Sequence, residues 1–142
     1  MIRSKDILRL IPQRKPFVMI DTLRVLSDTS AESTLLVRPS NYFLLPDDTL
    51  SETALVEHVA QTCSALMGYR QGALLSEDAE APVGLIGEVK HFESHRRVRR
   101  GEKVRTQVAF GFSFGNVTVA TGECRVGDEL VASGQLKIFM QS

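Results

Sequence analysis

The sequence lacks tryptophan, and aromatic residues make up 6% of it, with only two cysteines and three histidines. Each shortage excludes something. Cys63 and Cys124 are far apart and show no metal-ligand spacing, so neither a disulfide framework nor a zinc site is expected. Two buried, reduced thiols suit a cytoplasmic protein. There is no excess of either charge: 17 Lys and Arg balance 17 Asp and Glu. A chain without a bulk field gives no support to nucleic acid or an anionic membrane as partner. No apolar run approaches the ~18 residues of a bilayer span. The start, "MIRSKDILRLIPQ", carries cations but no apolar core of ~7–15 residues, so no secretory signal is read there. No internal repeat, low-complexity tract, metal motif or cofactor fingerprint is visible. What remains is 142 residues, 43% of them hydrophobic. That describes one domain over residues 1–142, able to bury roughly 68–70% of its unfolded surface.

Periodicity divides the chain. "SKDILRLI" reads as a short helix capped by Ser4 and stopped by Pro12. "FVMIDTLRVL" and "AESTLLVR" read as strands, joined by a "DTS" turn. Residues 39–51 form a loop, in which Thr49 and Glu52 fit a capping box. The following "ETALVEHVAQTCSALMGY" is the clearest helix. Leu55, Val56, Val59, Ala60, Cys63, Leu66 and Met67 make its apolar face, and Gly68 or Gly72 can end it. Thr53, Glu57, Gln61 and Ser64 gather opposite, with His58 and Thr62 at their edge. "LLSEDAEAPV" is an acidic loop. About four strands follow and read as an antiparallel meander, with turns at Gly101, at "FGN" and at the Gly127–Asp128 hairpin signal. Val104, Thr106, Val108, Phe110 and Phe112 alternate onto one face, as do Leu130, Ala132, Leu136, Ile138 and Met140. One helix with one apolar face needs one curved sheet to cover it, an α+β layer arrangement. A curved antiparallel sheet around a single central helix is the hot-dog fold.

Three segments carry a family likeness. "IPQRKPFVMID" resembles the Pro-His-Arg-x-Pro-Phe-hydrophobic-Asp segment of the (3R)-hydroxyacyl-acyl carrier protein dehydratases. "LVEHVAQ" resembles their Leu-Glu-Ala-x-Ala-Gln helix, and "VKHFESHRRVRRGEKV" their strand, basic turn and Pro-Gly-Asp stretch. In that family a histidine removes the α-proton of the thioester and a helix carboxylate handles the departing hydroxyl. The two residues come from opposite subunits of a dimer. The chemistry requires both, because the α-proton is weakly acidic and hydroxide is a poor leaving group. The resemblance makes Glu57 the carboxylate and Gln61 the helix glutamine, and it matches Pro16, Phe17 and Asp21 as well. From periodicity alone Glu57 is a solvated residue of the polar face, and Asp21 a structural hydrogen-bonding residue.

Two positions depart from the pattern. Gln13 stands where the histidine should be, and an amide can donate to a carbonyl or hold water but cannot abstract a proton. Glu52 stands where the family usually has a glycine whose N–H polarises the thioester carbonyl. His58, beside Glu57, projects about 100° away, and nothing aims His91 or His95 at Glu57. The expected site is therefore Glu57 with Gln13, lined by Gln61, Ser64, Glu52 and Phe17. Arg14 and Lys15 are either surface charge or phosphopantetheine contacts. Arg96, Arg97, Arg99, Arg100 and Lys103 form the densest charge cluster, either a solvated turn or a dock for an acidic carrier protein. Three functions follow. The first is a dehydratase-type hot-dog protein acting on carrier-bound 3-hydroxyacyl thioesters, as a homodimer or as one partner of a heterodimer whose mate supplies the histidine. The second is a thioesterase using Glu57, and the third a non-catalytic acyl-thioester binding subunit.

Overall fold

The computed structural model describes residues 1–75 and 84–140. The chain opens with β1 (Ile2–Arg3) and α1 (Ser4–Leu10), then β2 (Thr22–Ser27) and β3 (Ser30–Leu36). The long helix α2 (Glu52–Arg70) precedes β4 (Gly84–Ser94), β5 (Lys103–Phe114), β6 (Val117–Val126) and β7 (Glu129–Met140). The seven strands form one antiparallel sheet in the order β1-β2-β3-β5-β6-β7-β4, so the expected meander holds for β5-β6-β7 but not for β4, which pairs with β7 at the sheet edge while β5 pairs with β3. The sheet packs against α2 from β2, β3, β4, β5 and β6, so the expected hot-dog arrangement is the observed one.

Inward residues alternate as read from the sequence: Val104, Thr106, Val108 and Phe110 on β5 are buried. Phe112 breaks the expectation and is 71% exposed. A register shift between Phe110 and Ser113 turns its side chain to the outer face, where its ring stacks on Phe114. On β7, Ala132, Leu136 and Ile138 face the core, and Val131 is buried with them at a second register shift. Cys63 and Cys124 are free and buried; burial pushes their thiols up to about 12 and about 11, out of reach of thiolate chemistry.

Helix boundaries differ from the sequence signals. Arg3, not Ser4, occupies the N-cap of α1, which ends before Pro12 as expected. Ser51, not Thr49, occupies the N-cap of α2, and no side-chain hydrogen bond caps the helix there. The capping box fails because the Thr49 hydroxyl donates to Asp47 Oδ1 at 2.6 Å and its backbone pairs with Arg99. At the other end Gln71 is the C-cap, and Gly72, at φ +78°, supplies the left-handed residue that stops the helix. Gly68 has a different duty. A Cβ there would lie 2.5 Å from the Leu10 carbonyl oxygen, so α1 rests directly on α2. Gly68→Ala is expected to cost about 1–3 kcal/mol by overpacking, read as a lower denaturant midpoint. An unchanged midpoint would show that α1 is free to shift. The acidic loop read from the sequence falls mostly on residues 76–83, outside the described residues.

Candidate active site

Helix α2 is buried on more sides than amphipathic reading allows. His58, Gln61, Thr62 and Ser64, placed by periodicity on or beside the polar face, are all buried. The half-covered stripe instead runs along Val56, Glu57, Ala60 and Met67. The reason is the segment before β2. Phe17–Asp21 was expected to extend the strand, but β2 begins only at Thr22. The backbone at Phe17 and Met19 is engaged by side chains of α2 instead.

Gln61, with no exposed surface, forms a clamp. Its Oε1 accepts from Met19 N–H at 2.6 Å, and its Nε2 donates to the Phe17 carbonyl at 2.7 Å and to Glu57 Oε1 at 2.9 Å. The amide orientation is thereby fixed, because Oε1 must face a donor and Nε2 two acceptors. Glu57 is held by that donor one helical turn away while remaining half-buried. Phe17, at the outer end of the segment, is exposed and meets Tyr42 edge to face at 5.0 Å between centroids. Ser64 lies on the same stripe as Glu57 but is nearly covered. Glu52 is exposed in the first turn, where helix amides have no intrahelical partner, about 140° around the helix from Glu57. Gln13 Oε1 is buried and accepts no hydrogen bond from any described residue. No hydrogen bond among the described residues joins Gln13 to Glu57.

His58 is the residue that sequence reasoning placed wrongly. It is fully buried, with Nδ1 2.6 Å from the Met19 carbonyl and Nε2 2.8 Å from the Thr106 hydroxyl. The carbonyl can only accept, so Nδ1 carries the proton and Nε2 accepts from Thr106. Burial, opposed by the hydrogen bond to Met19, pushes its pKa down to about 4. This neutral imidazole is a structural pin between the 17–19 segment and β5. The available signal was its spacing: His58 and Gln61 are i and i+3 on one helix, close enough to grip one passing segment of backbone. Because the folded pKa lies below the unfolded 6.5, the contribution is fully present above pH 6.5 and is lost as pH falls toward about 4. The expected loss is ~3 kcal/mol across that window. Urea midpoints from pH 8 to 4, with the His58 imidazole titration followed by NMR, check it; a titration near 6.5 would overturn it.

Over residues 5–142 the sequence matches the family of ApeP-like dehydratases. The chain belongs to that family. Among the curated relatives of this chain is a 3-hydroxyacyl-acyl-carrier-protein dehydratase FabZ of Natranaerobius thermophilus, 31% identical and covered to 92% in both chains. A FabZ of Clostridioides difficile is 26% identical over 96% of this chain and 95% of its own. The fold recurs in the dehydratase heterocomplex ApeI:P from Xenorhabdus doucetiae, with TM-score 0.86, 17% identity and coverage of 99% and 93%. It recurs in the E. coli PaaI protein from the phenylacetic acid degradation operon, with TM-score 0.64, 14% identity and coverage of 82% and 80%.

The basic turn of this ApeP-like chain is largely self-neutralised. Arg96 reaches both oxygens of Glu102, at 2.9 and 3.0 Å, and Glu129 at 3.0 Å. Those Arg96 hydrogen bonds hold the Glu102 carboxyl below its usual range. Arg97 faces Asp47 at 3.8 Å and Arg100 faces Asp48 at 3.5 Å. Asp21 accepts from Leu36 N–H and from Arg38, a structural role that ties the start of β2 to the end of β3. Among the described residues no cluster of His, Cys, Asp or Glu is suited to a metal ion, and no helix is long and apolar enough to cross a membrane.

Proposed function

We propose that this dehydratase-family chain contributes the acid, Glu57, to a composite site and relies on a second hot-dog subunit for the base. The observation that carries the reading is the pairing of a positioned carboxylate with an unbasic partner position. Gln61 fixes Glu57 on a half-covered helix stripe, while Gln13 offers only an amide whose buried oxygen lacks a donor. Val56, Ala60 and Met67 on the same stripe suit coverage by another chain. The substrate is a 3-hydroxyacyl thioester on acyl carrier protein, the substrate class in the names of the FabZ relatives. A heteromer is supported by the ApeI:P heterocomplex, which shares the fold.

In this reading a histidine of the second subunit takes the α-proton, and the electron pair forms the α,β double bond. The C–O bond at the β-carbon breaks, and the departing hydroxyl takes a proton from Glu57 and leaves as water. Gln13, Ser64, Glu52 and Phe17 line the pocket, the Gln13 amide holding the carbonyl or a water. The cations of the 96–103 turn that keep free capacity, Arg99 and Lys103 above all, meet the acidic carrier. Both free cysteines fit a cytoplasmic location.

The test is an assay with a 3-hydroxyacyl carrier thioester, enoyl absorbance and free thiol being followed together. The chain alone is expected to be silent, and addition of a histidine-bearing hot-dog subunit is expected to produce enoyl thioester. Gln13→His is expected to raise enoyl formation in the chain alone. Thiol release by the single chain would replace this reading with a thioesterase, and binding with neither signal under any condition would leave a non-catalytic subunit.

A further inference from the structure

Three cations outside the 96–103 turn share one groove. Arg3, Lys5 and Lys15 are exposed, and none has a carboxylate within ion-pair distance among the described residues. All three line one groove on the side of the Phe17–Asp21 segment facing away from the Glu57 clamp. The groove consists of two adjoining cavities of about 500 Å³ and about 450 Å³, which share Lys15, Val18, Ile20, Asp21 and Arg38. Lys15 stands where the two meet, Arg3 and Lys5 come from β1 and α1, and Arg38 follows β3. Asp21 is the one acid in the lining, and Arg38 and Leu36 N–H already occupy it. Apolar side chains make most of the rest, Leu8, Pro16, Val18 and Leu36 with Ile20 buried beneath them, and Ser40 and Asn41 close one end.

The separation from the catalytic side is built into the backbone. Phe17 C=O and both backbone groups of Met19 point at α2, where Gln61 and His58 hold them. Val18 and Ile20 line the groove. A volume of this size, mostly apolar with a few convergent charges, is typical of small-molecule sites. A bare anion would leave the apolar lining wet, and a neutral hydrocarbon would leave the cations without a partner. We propose that this groove binds a single-chain amphipathic anion, with a carboxylate or phosphate head on an aliphatic tail. The head is held by Lys15 with Lys5 or Arg3, and the tail lies along Val18 and Leu36. The groove shares no lining residue with the Glu57 clamp.

The test is titration of the full, methyl-labelled chain with decanoate and with decyl phosphate, both below micellar concentration. Saturable binding is expected, with shifts at Leu8, Val18 and Leu36 methyls. The double variant Lys5→Glu/Lys15→Glu, both at exposed positions, is expected to weaken binding at least tenfold with an unchanged unfolding midpoint, while Glu57→Gln leaves it intact. Inorganic phosphate and decyltrimethylammonium are expected to bind at least tenfold more weakly. Tighter binding of one head over the other identifies its chemistry and upholds the site. Unchanged affinity in the double variant, equal binding of the cationic amphiphile, or shifts at Val56 and Met67 in place of the groove methyls would overturn it. So would the same groove shifts from acyl carrier protein but from neither amphiphile, which would make it a protein dock.

Discussion

Glu57→Gln is expected to lower enoyl formation by the reconstituted pair by about 10²–10⁴-fold, the range for loss of one positioned acid or base. The fold should be untouched. A glutamine at 57 keeps an oxygen that can accept from Gln61 Nε2, the one hydrogen bond shown for the Glu57 side chain. Glu57 is also half-open, so the change strands no buried charge. The loss should fall on kcat with little change in KM, because the proton is delivered in the transition state. Near-normal turnover in Glu57→Gln, with the partner's histidine intact, would remove this chain from the chemistry and leave it a scaffold.

Gln61→Leu should be the most damaging single change to the fold. The side-chain volume is nearly conserved, but Met19 N–H and the Phe17 carbonyl both lose their partner on the helix. Each buried polar group left unmatched costs about 1–3 kcal/mol, so the variant should lose ~2–5 kcal/mol. Gln61→Glu separates the two halves of the clamp. A carboxylate still accepts from Met19 N–H, but it cannot donate to Phe17 and it sets a second acid against Glu57. Its activity should therefore fall further than its stability does. Urea midpoints with unchanged slopes measure the first quantity, and the enoyl assay the second. A stability loss below ~1 kcal/mol in Gln61→Leu would show that His58 alone holds the segment.

His58 and Gln61 also mark the limit of sequence reading. Periodicity correctly located α2 and its apolar residues Leu55, Val59, Cys63 and Leu66. It could not show that the polar residues on the other side are buried as well. Their partners are backbone atoms 39 to 44 residues away, and a pattern within one helix carries no information about so distant a segment. The Thr49 capping box failed for a related reason. Asp47 and the bridge to Arg99 compete for that residue, and the bridge forms only once the 96–103 turn has folded back on the loop. Phe112 was misplaced because alternation assumes an unbroken ladder, and the register shift after Phe110 reverses its direction.

Charge shows the same division. Counting cations along the chain singles out Arg96 to Lys103, because five of them lie within eight residues. Glu102, Glu129, Asp47 and Asp48 then close around three of them. Arg3, Lys5 and Lys15, which have no carboxylate partner among the described residues, are scattered along the sequence and converge only across α1 and the segment before β2.

The sequence by itself determined the layer arrangement, the central helix, the four strands after it and the family, but not that β4 lies beside β7. Those are properties of local pattern and of residue identity at motif positions. The tertiary structure alone decided which polar groups are buried, which cations are free, and that Glu57 is positioned by Gln61 rather than simply solvated. Burial and pairing depend on which distant atoms arrive at a side chain, and only the closed sheet around α2 brings them there.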